Sequence, residues 1–369
     1  MSQPPDDHSD LQEMISDNPE LKKQFSYRKI IIVILIGLLL SGFLIVSTFD
    51  IEAFKKIEWN EKSLIWIFLG YIMLVTRHLA FMYRLRLITN NTLSWGSSFS
   101  VISLWLFSSA ITPSTVGGAA AAVYFLKKEK LSTGKSATTS LLTVFLDQIV
   151  FAVFATLAVI IIGNAKMFGS ETDCMQGGGG ELPLINVFHS VKTIFWWTYS
   201  FYLVMIIFLG YGLFINAKAI SNSIHKIFSW RILRRWKEDA YNTGLDIIAT
   251  SKVLKKKNTV FWLKATAATL VSWFALFSIS VCIIMAFFNI SFESWPVLYA
   301  RQFVVWMLML IPATPGSTGI AEISFSVLMC DYTSTALAPI MALLWRIVSY
   351  YPYLIIGIAI LPRWLRKVF

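Results

Sequence analysis

Ile311-Pro312-Ala313-Thr314-Pro315-Gly316-Ser317-Thr318-Gly319-Ile320-Ala321-Glu322 interrupts an apolar run that begins at Val297. Run 297–311 reaches only about 22 Å as a helix, well short of a hydrocarbon core of about 30 Å. Two prolines remove backbone donors, and the glycines permit dihedrals closed to other residues. Unpaired backbone in hydrocarbon costs several kcal/mol per group, so such a break belongs inside protein or against a watery cavity. The same device occurs earlier: Thr112-Pro113-Ser114-Thr115-Val116-Gly117-Gly118 ends the equally short apolar run 98–111. A second short apolar run follows each break, at 119–126 and 320–330. Both pairs read as re-entrant helical hairpins.

The rest of the chain sets these hairpins in a bilayer. Of 369 residues 56% are hydrophobic and 14% charged, with 14 Trp, 13 Tyr and 28 Phe. Water cannot be the main solvent of that surface, and the aromatic content fits interfacial belts. Six segments are long and apolar enough to span: 30–48, 64–83, 138–163, 195–215, 261–288 and 336–361. The expected fold is therefore all-α, a polytopic membrane protein of six spans and two re-entrant hairpins. Residues 1–29 form a polar tail, too charged for a secretory leader. Residues 30–365 form one transmembrane domain.

Basic residues orient it. With the N-terminus in the cytoplasm, the inner segments carry Lys22, Lys23, Arg28, Lys29, Arg84, Arg86, Lys127, Lys128, Lys130 and Lys135. They also carry ten Lys/Arg between Lys218 and Lys257, then Arg363, Arg366 and Lys367. The outer segments hold Lys55, Lys56, Lys62, Lys166 and Lys192. This asymmetry places both termini in the cytoplasm of a bacterial plasma or inner membrane. The first hairpin then enters from inside and the second from outside. Segments 64–163 and 261–361 become an inverted repeat, the plan of many secondary transporters. The net charge of +11 is spent on this asymmetry, so nucleic acid is not expected as a partner.

The breaks and the charges inside spans are the candidate binding residues. Helices restarting after Gly117 and Gly319 point their positive ends at the breaks, where an anion is favoured. Ser114, Thr115, Ser317 and Thr318 add hydroxyls. Intramembrane charge defaults to function; Arg77 and Arg346 are expected to compensate Asp147 and Glu322 around one polar cavity. Glu322, three residues past Gly319, equally suits a first-turn helix cap, and internal ion pairing without a ligand is the plainer alternative. His78 beside Arg77 is the one nearby proton-coupling candidate, with a packed histidine as the plainer reading. Lys264 and Arg301, near span ends, are expected to snorkel. Segment 217–258, with Ile220, Ile224, Ile227 and Phe228 among basic residues, reads as amphipathic helix on anionic inner-leaflet lipid or as a solvated connector. Cys174, Cys282 and Cys330 show neither a disulfide framework nor a metal pattern. No cofactor is expected, and without a P-loop any transport is passive or gradient-driven. A homo-oligomer is compatible with all of this.

Four motifs, Tyr83-Arg84-Leu85-Arg86, Pro113-Ser114-Thr115-Val116-Gly117-Gly118, Pro315-Gly316-Ser317-Thr318-Gly319-Ile320-Ala321-Glu322 and Arg346-Ile347-Val348-Ser349-Tyr350, resemble the transmembrane region of lysylphosphatidylglycerol synthases. That flippase-like family implies a module moving aminoacylated or other phospholipids between leaflets. From the breaks and the charges within spans, the expected substrate-binding residues are Arg77, Thr112, Pro113, Ser114, Thr115, Gly117, Gly118, Asp147, Thr314, Pro315, Gly316, Ser317, Thr318, Gly319, Glu322, Arg346 and Tyr350. The acid and arginine that often follow the glycine pair are replaced here by Ala119-Ala120-Ala121-Ala122. The chain ends eight residues past Leu361, so a soluble synthase domain, and with it enzymatic activity, is not expected. The competing enzyme class is a polyprenyl-phosphate-dependent membrane glycosyltransferase, for which Asp50 and Glu52 would supply the external acids.

Overall fold

The computed structural model describes residues 55, 59–112, 115–169, 184–230, 244–245, 248, 251–310, 314–333 and 337–368. The described residues form twelve α-helices and no strand: α1 Glu61–Ile88, α2 Trp95–Ile111, α3 Thr115–Lys128, α4 Thr133–Ile161, α5 Asn164–Phe168, α6 Leu184–Gly210, α7 Ala217–Phe228, α8 Thr259–Phe287, α9 Trp295–Leu308, α10 Ile320–Thr333, α11 Ala338–Ser349 and α12 Tyr351–Val368. A π-helical turn, Tyr211–Ile215, prolongs α6.

Starts are set by local sequence. Asn60, Ser94, Ser132 and Asn258 have extended backbone, and their side chains accept from the third residue on, capping α1, α2, α4 and α8. Among the described residues, five stretches are long and apolar enough to cross a membrane: Glu61–Ile88, Thr133–Ile161, Val191–Ile215, Thr259–Phe287 and Ala338–Trp364. They coincide with five of the six expected spans. The expected span 30–48 lies outside the described residues. The last is two helices, α11 and α12, offset at Tyr350 just before Pro352.

Helix α8 is the centre of the bundle. Every residue from Ala275 to Ile284 is buried, the signature of a helix wrapped on all sides. It pairs with α1 in antiparallel fashion: the Ser63 hydroxyl donates to the Ala286 carbonyl (2.9 Å), while Arg84 at the other end of α1 reaches Thr269 (2.9 Å). Outer faces carry exposed apolar side chains, including Phe68 and Val75 on α1, Ile160 on α4 and Trp197 and Ile207 on α6. In water these would be an aggregation hazard; against acyl chains they are the solvated surface.

The short helices pair as hairpins. Phe125 and Leu126 of α3 share a core with Val101 and Ile102 of α2, so α3 folds back along α2. Gly118 makes the turn possible: a Cβ there would lie 1.8 Å from Ser109 Oγ and 3.1 Å from Ser109 Cα. Ser140 Oγ on α4 donates to the Ala119 carbonyl (2.9 Å), fixing the hairpin to the next span. Trp364 of α12 donates to Glu129 at the hairpin's base (3.0 Å). Likewise α10 folds back on α9, where Arg301 donates to the Leu328 carbonyl (2.8 Å).

Three expectations are corrected. Arg301 does not snorkel: it is buried, paired with Asp331, and bonded to the carbonyls of Leu328 and Lys166 (2.8 and 2.9 Å). Lys264 is exposed, as a snorkelling lysine requires. Arg84, counted above with the inner loops, lies inside α1 and is 1% exposed, because α1 runs past Tyr83 to Ile88. Cys330 is disulfide-bonded and Cys282 is free, leaving Cys174, outside the described residues, as the one other cysteine. Of the expected amphipathic segment, α7 is present; the side chains of Ile220, Ile224, Ile227 and Phe228, and residues 231–243, lie outside the described set.

Candidate functional site: two broken helices in contact

Helix α2 stops at Thr112, whose N–H and hydroxyl both donate back to the Ser108 carbonyl (3.1 and 2.8 Å). Its own carbonyl accepts from the N–H of Gly316, in the break between α9 and α10 (3.4 Å). Tyr350, at the α11–α12 junction, donates to the Ala110 carbonyl one turn before the first break (2.9 Å). Residues some 200 positions apart therefore satisfy one another's backbone, as a break inside protein requires. Pro113 and Ser114 lie outside the described residues, as do the side chains of Thr115 and Pro315 and the surroundings of Gly117.

The second break is a tightly bonded turn. Gly316 has φ +60°, Ser317 φ +53° and Gly319 φ +90°. A serine in the left-handed region is strained, and its hydroxyl holds it there by donating to the Met309 carbonyl (2.5 Å). Thr314 Oγ1 donates to the Thr318 carbonyl (2.6 Å). The Gly319 N–H donates to Glu322 Oε2 (2.6 Å), so Glu322 is the first-turn acid that caps α10.

Arg346 draws these parts together. Its Nη2 donates to the Gly316 carbonyl (2.9 Å), its Nε lies 3.1 Å from Glu322 Oε1, and its guanidinium covers the Tyr350 ring at 3.7 Å. It is 3% exposed, whereas Glu322 keeps 26% side-chain exposure. The Nε–Glu322 contact is an ion pair without hydrogen-bond geometry; a planar guanidinium that bonds a carbonyl and stacks on a ring beside a carboxylate is still a role suited to arginine and not to lysine.

The expected pairing of Arg77 with Asp147 is not what forms. Asp147 takes a two-pronged bond from Arg84 (2.5 and 3.2 Å) and a third from Trp273 Nε1 (2.8 Å). Arg77 instead lies among the rings of Phe81, Trp273, Trp306 and Tyr353, all within 6.0 Å of its guanidinium, and its Nε has no hydrogen-bond partner among the described residues. His78 packs against Phe99 and Tyr353. The four expected charges thus fall into two groups, Arg346 with Glu322 at the breaks and Asp147 with Arg77, where a fifth charge, Arg84, takes the carboxylate. Tyr350 and Tyr353, three residues apart, touch one group each. Arg84, Trp273 and Tyr353 were not anticipated. For Arg84 the signal was there, since it stands seven residues after Arg77 and so on the same helix face.

Arg84→Ala is expected to destabilise the detergent-solubilised protein by about 3 kcal/mol, the lower part of the range for orphaning one member of a buried pair, because Asp147, whose side chain is 20% exposed, would be left without its cation. Asp147→Asn in the Arg84→Ala background should recover most of that loss, read as the melting temperature of each variant. A double variant no more stable than Arg84→Ala would show that the pair is not what holds α1 to α4 and α8.

Residues 30–357 match the family model described as the lysylphosphatidylglycerol synthase TM region. A UPF0104 membrane protein of Archaeoglobus fulgidus is 26% identical over 316 residues, covering 82% of this chain and 88% of the relative. No solved structure matches the chain.

Proposed function

Because the chain belongs to the lysylphosphatidylglycerol synthase transmembrane-region family, we propose that it is an integral membrane lipid transporter, flippase-like, that binds a phospholipid or other lipid phosphate between the two hairpin breaks. The observation that carries this is the direct contact of the breaks, Gly316 N–H on the Thr112 carbonyl, with Arg346 bonded to the same glycine. Broken helices meeting within a bilayer are the usual seat of substrate in secondary transporters. The Arg346–Glu322 pair suits a headgroup of both charges: phosphate replaces Glu322 on the guanidinium, and an ammonium meets the released carboxylate. Because the site is already neutral, such an exchange leaves no buried net charge.

The arrangement in the membrane follows from the same reading. Antiparallel α1 and α8 open the two halves of an inverted repeat, with the first hairpin entering from the cytoplasm and the second from outside. The disulfide at Cys330, at the far end of α10, supports an oxidising outer side there. Transport and not catalysis is the assigned activity. Asp50 and Glu52, on which the glycosyltransferase alternative rested, lie outside the described residues.

Two measurements test this. Purified protein in liposomes should accelerate leaflet exchange of fluorescent phospholipids, followed by dithionite quenching, with amine-bearing headgroups moved fastest. Exchange at the protein-free rate for every lipid class would sink the reading. Lys127→Cys and Glu293→Cys, at the bases of the two hairpins, should react with impermeant maleimide from opposite sides. Labelling from one side would exclude the inverted repeat.

A further inference from the structure

A groove remote from the breaks lies between α4, the π-helical turn and the start of α8, and encloses about 480 Å³. Phe145, Leu146 and Val150 of α4 form one wall; Phe214 and Trp262 form the other. The walls are built of packed rings, with Phe214 5.4 Å from both Phe145 and Trp262. Lys255 also lines it, from the segment that precedes α8. That segment is pinned to the π turn: Ser251 Oγ donates to the Leu213 carbonyl (2.5 Å) and Lys255 Nζ to the Ile215 carbonyl (3.4 Å). Lys252, Lys255 and Lys256 are exposed.

An apolar slot of this size inside a bilayer protein is filled by hydrocarbon, since an empty one forfeits dispersion contacts along its whole lining. A bare acyl chain would need nothing more. Here the slot has an ammonium on its lining and two further exposed lysines, Lys252 and Lys256, within three residues of it, so its occupant has an apolar body and an anionic end. The π turn supports a selected site, because such bulges cost hydrogen-bond geometry and concentrate at functional positions. We infer that the groove is a binding site for one acyl chain of an anionic glycerophospholipid, whose phosphate is held at Lys255. The site shares no residue with the breaks and does not rest on the transport reading. It would hold a resident lipid of the basic leaflet and not the translocated one.

The test uses the full-length protein in liposomes doped with phosphatidylglycerol or phosphatidylcholine bearing a diazirine on one acyl chain, with crosslinks mapped by peptide mass spectrometry. The phosphatidylglycerol probe should label peptides containing Leu146 and Trp262 about fivefold more than the phosphatidylcholine probe, the preference expected for one basic side chain at an anionic headgroup. Lys255→Glu, a change at an exposed residue, should abolish that preference. Thr266→Trp, which fills the groove from α8, should remove the labelling itself while that of lipid-facing Trp197 and Ile207 persists. Arg346→Ala should leave both results unchanged, which separates this site from the breaks. Equal labelling by the two probes, a preference that survives Lys255→Glu, or a groove that neither probe reaches because a second copy covers it would each overturn the assignment.

Discussion

Arg346→Ala should bring lipid exchange in liposomes down to the protein-free rate and should also lower stability, by about 3 kcal/mol. That is the lower part of the range for orphaning one member of a buried ion pair, since Glu322 keeps some exposure. The two effects are separable. Glu322→Gln added to Arg346→Ala removes the orphaned charge, so the double variant should melt close to the wild type and still fail to move lipid. Arg346→Lys keeps the charge but loses the fork. An ammonium cannot bond the Gly316 carbonyl and lie beside Glu322 while stacking a flat face on Tyr350. Lysine is therefore expected to restore melting more than exchange. If the Glu322→Gln/Arg346→Ala protein transports normally, Arg346 only balances a capping acid, and the phosphate must be sought elsewhere. Arg77, whose Nε lacks a partner among the described residues, would then be the next residue to change.

The architecture was readable where the physics is local. A run of about 20 apolar residues is itself the requirement for a span, and five of the expected spans recur in the fold. The two hairpins were visible because proline and glycine act on their own backbone. Glu322 was readable as a cap from its distance to Gly319 alone. Partner choice was not, because it depends on how helices far apart in sequence rotate against one another. Asp147 had two arginines of α1 within reach, and only the packing of α8 decides between them: Thr269 and Trp273 hold Arg84 and Asp147 respectively, and Trp273 presents its ring to Arg77. The burial of Arg301 was lost for a related reason. Its acid, Asp331, lies on the other arm of the hairpin, so a position near a span end looked like a route to the headgroups. The disulfide at Cys330 was equally beyond spacing rules, which recognise clustered cysteines and not distant ones.

The largest loss of all is expected from Gly316→Ala. A methyl group there would stand 2.3 Å from the Tyr350 hydroxyl and 2.7 Å from the Ala110 carbonyl oxygen. The tyrosine can swing away; the carbonyl is backbone inside α2 and cannot. Accommodating the methyl therefore means moving the second break off the first, which breaks the Gly316–Thr112 bond and withdraws the carbonyl that Arg346 uses. Left-handed backbone alone costs an alanine about 1–2 kcal/mol, so a control must carry that cost without the collision. Gly163, just after α4, pairs φ +79° with ψ 156°, a backbone at least as costly to alanine, and a methyl group added there would meet nothing within 4 Å. Gly163→Ala should lower the melting temperature and leave lipid exchange intact, whereas Gly316→Ala should abolish exchange. Tyr350→Phe removes the nearer obstacle but not the carbonyl, so Gly316→Ala/Tyr350→Phe should be no better than Gly316→Ala. Equal behaviour of the Gly163 and Gly316 variants would mean that the contact between the breaks is dispensable. Rescue by phenylalanine would instead place the obstruction at the tyrosine hydroxyl and leave the backbone contact without a role in transport.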